Sequence, residues 1–324
     1  MIMSIIDKII TNVNVSIAGI RISFWTNHPA DKKCLEDLLF YHLDRDEASS
    51  GIDGCHDVFI LSAKEKFSIP LNMPLIWTGF VNQNVPVCWY NSINKEENII
   101  VIAEDILIRH FPERKLTVCC LTETKGRFSK SHRPSLTNYI FFLLQSILSM
   151  HGKYCLHASC VSKNEKAYLF LGKSGEGKST MSAILGKAGF EYMGDDLVFI
   201  SGNELGEIVA NAFLTKIKLD NSKSKIKDSI DVIKDNHFKY AYQNKLGAII
   251  NLQRTYVGKE SVLVPATQME SFAWLMNSGN NIKIQYHQQL WMSICEQASL
   301  LPSFTLMFAD KEYFEPDILD AVLK

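Results

Sequence analysis

The segment with the most specific chemistry in this sequence is a glycine-rich run that ends in a lysine and two hydroxyl residues. It fits the pattern G-x-x-x-x-G-K-[ST] in full. Glycines let a backbone curl until successive N–H groups face one anionic ligand. The run consists of Gly172, Lys173, Ser174, Gly175, Glu176, Gly177, Lys178, Ser179 and Thr180. The pattern predicts a phosphate-binding loop.

Two side chains of this loop have separate predicted roles. Lys178 reaches the β and γ phosphates of a nucleoside triphosphate, and the Ser179 hydroxyl ligates Mg²⁺. A helix that begins at the end of the loop adds the positive end of its dipole. An apolar run over 167–171 predicts the strand that enters the loop. This strand–loop–helix context favours a functional loop over a chance glycine-rich turn.

Two adjacent carboxylates, Asp195 and Asp196, follow the next strand-like run. Paired carboxylates beside a phosphate loop can hold Mg²⁺ and accept the proton of an attacking hydroxyl. Two like charges this close raise the pKa of one of them, which suits a base. Gly-Asp-Asp is also ordinary turn chemistry, and the residues alone leave that alternative open.

Two further residues carry weaker signals. His157 lies in the strand predicted before the loop, where a histidine can equally be an ordinary core or surface residue. Arg254 follows a strand predicted over 247–252. Its forked guanidinium suits the charge on a transferring phosphoryl group, and a plain surface arginine is the alternative.

The composition narrows the class of protein. The 324 residues are 47% hydrophobic and 21% charged, which predicts a folded chain with one large domain or two of ordinary size. With 34 basic and 35 acidic side chains, the formal net charge is −1. Such a balance favours neither nucleic acid nor an anionic membrane as a partner. A basic run over 125–133 indicates either a solvated loop or a contact for an acidic substrate or a nucleotide phosphate.

The N-terminus and the cysteines indicate a compartment. The first ten residues contain an acid and a base and lack the layout of a secretory signal. The most apolar run, 139–150, has about half of the roughly 20 residues that a bilayer span needs. We expect a cytoplasmic protein with no membrane partner, whose eight cysteines are reduced thiols.

The hydrophobic pattern predicts an N-terminal α+β domain over 1–132 and a second domain over 133–324. In the first, we expect a hairpin or bulged strand over 13–26, a helix over 30–43, and strands over 57–62, 74–78, 85–90, 98–102 and 115–121. In the second, an apolar helix runs to about residue 150. Its predicted strands are 154–162, 167–172, 190–193, 197–200, 207–213, 216–219, 247–252, 261–264 and 304–308. Its other predicted helices are 180–188, 223–234, 267–276, 283–299 and 316–323.

Three segments, 156–161, 170–180 and 189–196, together resemble the C-terminal catalytic domain of HPr serine kinase/phosphorylase. The spacing of His157, Lys178 and Asp196 also matches that family. The resemblance is closer to the HPr-kinase-like proteins of bacterial biosynthetic clusters, including those that modify lasso peptides. It is specific over about 150–200, diffuse over 201–324 and essentially absent over 1–130.

The resemblance implies an α/β P-loop kinase domain of the HPr-kinase/phosphoenolpyruvate-carboxykinase type, which uses ATP or another nucleoside triphosphate with Mg²⁺. It implies that Asp196 is the general base, that Asp195 supports the metal, and that His157 lies near the phosphates. The acceptor would be a serine of a peptide or protein, or a hydroxyl of a small molecule. The N-terminal domain would select that acceptor. The sequence leaves room for a homo-oligomer.

The sequence departs from the family at two points. The family's Glu-Ile-Arg-Gly segment supplies a second metal carboxylate, and the run at 211–220 has no equivalent. This departure argues against the reverse phosphorylase reaction and against HPr as the acceptor. The family's catalytic arginine has no clean match. Arg254 is the nearest candidate, with Lys216 or Lys218 as substitutes.

A nucleotide-sensing module with little or no turnover is the second hypothesis, in which the N-terminal domain engages a partner. A GTPase or a motor-type ATPase fits less well. The sequence has no Asn-Lys-x-Asp run, and its carboxylates come sooner after the loop than a Walker B strand usually does.

Overall fold

The computed structural model forms two compact units, Met1–Ile147 and Leu148–Lys324. The predicted domain boundary between residues 132 and 133 lies outside the described part of the chain. The described residues are 11–26, 29–43, 55–63, 73–81, 85–91, 97–102, 106–122, 136–215, 217–220, 227–235, 237–255, 261–279 and 288–308.

The first unit is built around a mixed sheet of eight strands. These are β1 (Thr11–Ile17), β2 (Ile20–Thr26), β3 (His56–Ala63), β4 (Leu75–Val81), β5 (Val85–Asn91), β6 (Asn98–Ile102), β7 (Ile106–Phe111) and β8 (Leu116–Thr122). Their order across the sheet is β1-β2-β3-β8-β7-β6-β5-β4. β3 pairs in parallel with β2 and β8, and the remaining neighbours are antiparallel.

The start of this sheet follows from local sequence. Ala18 and Gly19 join β1 to β2 with φ values of 54° and 76°. Two consecutive residues with positive φ match the twist of a two-residue hairpin, so the predicted hairpin is confirmed. Helix α1 (Pro29–Leu38) begins with proline, as helices often do, and turns the buried Leu35 toward the core. It provides the crossover that lets β2 and β3 run parallel.

One strand of the first unit was missing from the sequence prediction. β7 (Ile106–Phe111) forms a hairpin with β6, and its first three residues are buried. Its run of apolar residues is the signal that could have found it, since a strand covered on both faces shows no alternation.

A chain of buried hydrogen bonds crosses the first unit. Ser146 lies in helix α2 (Leu136–Met150), and its hydroxyl donates to the Leu143 carbonyl at 2.9 Å. The hydroxyl proton is therefore used, and His110 Nε2–H donates to Ser146 Oγ at 3.0 Å. His110 Nδ1 then accepts the hydroxyl proton of Thr117 at 2.8 Å, and Thr117 Oγ1 accepts from His56 Nε2–H at 2.8 Å. Each donor meets one acceptor only if His110 is neutral.

The second unit is built around a mixed sheet of nine strands. These are β9 (Tyr154–Leu156), β10 (Ser159–Lys163), β11 (Lys166–Leu171), β12 (Glu191–Gly194), β13 (Val198–Gly202), β14 (Ile208–Ala212), β17 (Gln243–Arg254), β18 (Val262–Pro265) and β19 (Ser303–Phe308). The order β12-β10-β11-β17-β14-β13-β9 forms the main path, and β19 joins β17 and β18. β17 is parallel to both β11 and β19. A separate hairpin consists of β15 (Ile217–Asp220) and β16 (Lys227–Ile230).

Three helices accompany this sheet, and they are α3 (Lys178–Lys187), α4 (Gln268–Ser278) and α5 (Gln288–Ser299). α4 starts with a capping box, in which the Thr267 side chain and Glu270 satisfy each other's backbone N–H groups. α3 packs against the sheet through a buried apolar cluster that includes Met181, Leu185 and Phe190. Mixed sheets with helices of this kind agree with the predicted α/β class.

Two predictions on the second unit are wrong. The strand expected over 154–162 is two strands, β9 and β10, which pair with different neighbours and are separated by His157 and Ala158. The polar helix expected over 223–234 is contradicted by strand β16 and by turn backbone over 231–235. Ile226, Ile230 and Ile233 do recur at helical spacing, but the hydrogen bonds that pair β16 with β15 override this local pattern.

Other predicted helices are confirmed only where the structure describes them. α5 begins at Gln288, and the predicted start at residue 283 lies outside the described residues, as does the helix predicted over 316–323. The basic run over 125–133 is also outside them. Within the described residues, no helix combines the length and the apolar character that a membrane span requires.

The buried histidines of the first unit make its stability depend on pH. Burial lowers the pKa of His110 to about 3 and that of His42 to about 4. The unfolded chain therefore binds protons that the folded unit excludes, and stability falls as pH drops below about 6.5. We expect a loss of about 2 kcal/mol per histidine between pH 7 and pH 5 in urea unfolding followed by circular dichroism.

The variants His110→Gln and His42→Gln should each remove about half of this pH dependence. His237→Gln, which replaces an exposed histidine, serves as the matched control and should leave it intact. Equal stability at the two pH values would contradict the prediction.

Candidate functional site

The candidate site lies where parallel strands of the second unit end. Leu171, the last residue of β11, pairs with Asn251 of β17, and Arg254 at the end of β17 pairs with Phe308 at the end of β19. The carboxyl ends of β11, β17 and β19 therefore share one edge of the sheet. In open α/β sheets, ligands bind at this edge. The glycine-rich loop 172–177 emerges from it and leads directly into α3.

The loop requires glycine where it approaches its neighbours. Gly172 has φ +143°, and a Cβ there would lie 3.0 Å from the Leu252 carbonyl oxygen. Gly177 has φ +92°, and a Cβ there would lie 3.3 Å from the Phe308 ring. Side chains at these positions would push the loop away from the strand ends. Of the side chains in this loop, those of Lys173 and Ser174 are exposed and that of Glu176 is half-buried.

Lys178 is held inside the loop. Its ammonium donates hydrogen bonds to the carbonyls of Gly172 at 2.8 Å and of Lys173 at 3.3 Å, and the residue is only 6% exposed. The buried Ser159 hydroxyl donates to the Lys178 carbonyl at 3.1 Å. The ammonium is therefore held by carbonyls of the loop that leads into α3.

The two carboxylates, Asp195 and Asp196, directly follow β12. Its last residue, Gly194, pairs with Cys160 of β10, next to a register shift in that pair. Gly194 has φ +154°, and a Cβ there would lie 3.0 Å from the Leu197 carbonyl oxygen and 3.1 Å from that of Phe213. The tight turn behind Gly194 brings Asp195 back toward the loop.

Asp195 is buried beside the loop serine. It is 4% exposed, and its Oδ1 has no hydrogen-bond partner among the described residues. Burial, together with the neighbouring Asp196 charge, raises the pKa of Asp195 to about 6, although a hydrogen bond with the Ser179 side chain and the positive charge of Lys178 oppose that shift. The structure thus brings the two predicted metal ligands, Ser179 and Asp195, into contact.

Asp196 and His157 lie at the exposed side of this arrangement. Asp196 is exposed and has φ +66°. His157 Nδ1–H donates to the Asp196 backbone carbonyl at 3.2 Å, and the His157 backbone N–H donates to Ser278 at the end of α4 at 2.7 Å. Burial and the nearby Lys178 charge lower the pKa of His157. Both effects favour the neutral ring over the charged one, and the contact with the Asp196 carbonyl requires a proton on Nδ1.

Arg254 meets the loop through its backbone. Its N–H donates to Glu176 Oε2 at 2.6 Å, while its side chain is exposed. The alternative cations cannot be compared with it, since Lys216 and the side chain of Lys218 lie outside the described residues. Thr180, the last residue of the loop motif, is half-buried in α3.

The segment that departs from the resembled family, 211–220, begins with Asn211, whose side chain has a structural role. The Asn211 side chain is buried, and its amide donates to Ser201 Oγ at 3.2 Å and to the Phe199 carbonyl at 3.4 Å. Gln243 Nε2 donates to Asn211 Oδ1 at 3.0 Å. Asn211 therefore uses its polar atoms within the core.

Mg²⁺ fits the donors that are present. Among the described residues, no group of three or more His, Cys, Asp or Glu side chains converges on one point. Mg²⁺ needs no such cage, because it is commonly held by one or two carboxylates together with substrate phosphates. The unpartnered Asp195 oxygen next to the Ser179 hydroxyl provides a start of this kind.

Two residues near the site carried no role in the sequence prediction. Tyr192 is buried on β12, and its hydroxyl donates to the Thr215 carbonyl at 3.3 Å. Burial and the charges of Asp195 and Asp196 raise its pKa. Ser159 supports Lys178, as described above. Neither could have been found from spacing, because both act through contacts with residues distant along the chain.

Comparison with known proteins gives one result of note. No family model matches the sequence, and no curated protein matches it. Among solved structures, the Hpr(Ser) kinase/phosphatase from Coxiella burnetii is similar with a TM-score of 0.32 and 13% sequence identity, over 52% of this chain and 93% of that chain. The resemblance drawn from the sequence stays a prediction.

The turn that positions the carboxylates should not tolerate a side chain at residue 194. We expect Gly194→Ala to lower the free energy of unfolding by roughly 2 kcal/mol or more, because the new Cβ meets backbone oxygens at a φ that favours glycine. Gly202→Ala is the matched control, since a Cβ there has no atom within 4 Å. Equal thermal denaturation curves for the two variants would contradict this geometry.

The buried charge of Asp195 should lower the stability of the ligand-free protein. Above pH 6 the folded state must hold a carboxylate that burial disfavours, whereas the unfolded chain ionises it freely. Asp195→Asn should therefore raise the free energy of unfolding by about 1–3 kcal/mol at pH 7.5 without Mg²⁺ or nucleotide. Asp235→Asn, at an exposed turn, should not change it. A destabilised Asp195→Asn protein would show that the carboxylate is structural.

Proposed function

We propose that this protein is an ATP- and Mg²⁺-dependent kinase that transfers the γ-phosphate to a hydroxyl group. One observation carries the proposal. The loop lysine and serine, the carboxylate pair and His157 come from three separate segments, and they meet at the carboxyl edge of the sheet.

Binding of the nucleotide phosphates would use the loop and α3. Lys178 exchanges its hydrogen bonds with the Gly172 and Lys173 carbonyls for phosphate oxygens, which are stronger partners for an ammonium. The first N–H groups of α3 and its dipole add to this attraction. Ser179 and Asp195 would hold Mg²⁺, which neutralises charge on the phosphates when it is bound.

Transfer would use Asp196 as the base. Its exposed carboxylate can reach an incoming hydroxyl from solvent, and its backbone is anchored by His157. The hydroxyl proton passes to the Asp196 carboxylate as the oxygen attacks the γ-phosphorus, and the bond to the β-phosphate oxygen breaks. His157 and the exposed Arg254 guanidinium would lie near the transferring phosphoryl group, where Arg254 stabilises its charge.

The proposed acceptor is a serine of a peptide or protein, or a hydroxyl of a small molecule. The resemblance to kinases of lasso-peptide clusters supports a peptide, and the first unit would select it. The absence of a carboxylate at Asn211, whose amide is used in the core, supports a forward kinase without the reverse phosphorylase reaction. We also propose a cytoplasmic location.

A second candidate function is a nucleotide sensor with little turnover. It is favoured by the same departure at Asn211, since a site with fewer carboxylates around the metal would bind nucleotide and transfer phosphate slowly. The two candidates differ in ADP formation with and without cell extract. Turnover that the extract stimulates supports the kinase, and tight nucleotide binding without turnover supports the sensor.

The proposed base can be tested without disturbing the loop. Asp196→Asn should lower turnover by about 10²–10⁴-fold, the usual contribution of a general base, while binding of a non-hydrolysable ATP analogue survives. Lys178→Ala should instead abolish binding of the analogue. Asp235→Asn is the control for loss of an exposed carboxylate. Turnover that persists in Asp196→Asn would remove the base assignment.

A further inference from the structure

Glu176 is an unexpected residue in a loop proposed to receive phosphates. A carboxylate there repels a polyanion, and the phosphate-loop pattern makes no demand on this position. Its contact in the structure is specific, because Oε2 accepts the Arg254 backbone N–H at 2.6 Å across 78 positions of the chain. The backbone N–H of Glu176 also donates to the Lys173 carbonyl at 3.2 Å. Both ends of the residue are therefore engaged.

The position of this contact in the sheet explains why the Arg254 N–H needs a side-chain acceptor. β11 ends at Leu171, opposite Asn251, whereas β17 continues to Arg254. On its other edge β17 stays paired with β19, and the next backbone N–H, that of Thr255, donates to Phe308. On the side of β17 that faces β11, the Arg254 N–H thus has no strand opposite it among the described residues. The Glu176 carboxylate takes the place of the missing strand carbonyl.

We infer that Glu176 is a positioning residue that ties the phosphate loop to the end of β17 and thereby sets where the Arg254 side chain begins. This inference rests on the proposed function for its kinetic consequence. Gly172 packs closely against Leu252, because a Cβ on the glycine would lie only 3.0 Å from the leucine carbonyl oxygen. This second contact supports a loop held in a fixed position against β17. The hydrogen bond needs only an acceptor atom at residue 176, and the negative charge is an additional property of glutamate.

Two substitutions separate the acceptor atom from the charge. Glu176→Gln and Glu176→Ala lose the same charge, but only the glutamine keeps an oxygen that can accept the Arg254 N–H. Glu176→Gln, which removes only the charge, should tighten binding of a non-hydrolysable ATP analogue by about threefold at low salt. This gain should shrink as the salt concentration rises. Glu176→Ala should gain nothing, because its loop is no longer held.

Amide hydrogen exchange tests the hydrogen bond between Glu176 and the Arg254 N–H directly, and it requires no turnover. In the full chain, Glu176→Ala should accelerate exchange at the residue 254 amide by roughly tenfold, the effect expected from losing a hydrogen bond to a charged group. Glu176→Gln should accelerate it much less. Glu207→Ala is the matched control, since it removes a glutamate that binds Lys245 near the opposite end of the same strand. Unchanged exchange in Glu176→Ala would overturn the inference, and so would equal effects of Gln and Ala.

Turnover then tests whether Glu176 acts through Arg254. Arg254→Ala keeps its backbone N–H, so it removes the guanidinium and leaves the tie in place. We expect both Glu176→Ala and Arg254→Ala to lower kcat more than they raise KM, and the double variant to be no slower than Arg254→Ala. If the double variant loses kcat by the product of the two single losses, Glu176 does not act through Arg254. If the wild-type protein forms no ADP with any acceptor or extract, the proposed kinase function is wrong. The exchange result alone then decides whether Glu176 holds the loop against β17.

Discussion

The candidate site depends on the parallel pairing of β17 with both β11 and β19. Because parallel strands end at the same edge, whatever follows β11 must lie beside the ends of the other two. The loop at 172–177 therefore packs against Leu252 and Phe308, and only glycine fits at its two closest approaches. The contact between Glu176 and Arg254 follows from the same arrangement, since β17 extends beyond the point at which β11 ends.

Opposite charges are buried close together at this edge without neutralising each other fully. Lys178 binds backbone carbonyls, and one oxygen of Asp195 has no hydrogen-bond partner among the described residues. Both arrangements are less favourable than a direct ion pair with complete hydrogen bonding. They suit the proposed ligand, in which phosphate oxygens replace the carbonyls around Lys178 and a cation lies next to Asp195. The site would then be electrostatically complete only when it is occupied.

The secondary structure could be predicted where local pattern and tertiary environment agree. The Ala18-Gly19 hairpin and the capped helix α4 are such cases, because turn chemistry and capping act over a few residues. The prediction failed over 154–162, where no glycine or proline marks the change of strand partners at His157 and Ala158. It failed again over 223–234, where helix-forming charged residues pair as strand β16. Over 154–162 the decisive hydrogen bonds of β9 are made with β13, far away along the chain, whereas β16 is held by its hairpin partner β15.

The sequence by itself determined the chemistry that is available and the order in which it occurs. The glycine-lysine-serine run, the Asp195-Asp196 pair and His157 are recognisable from residue type and spacing. Only the tertiary structure decided that Asp195 is buried against Ser179 while Asp196 stays exposed, and that Arg254 reaches the loop through its backbone. The physical reason is that burial and hydrogen-bond geometry arise from sheet register, and register is set by the packing of strands that lie far apart in the sequence.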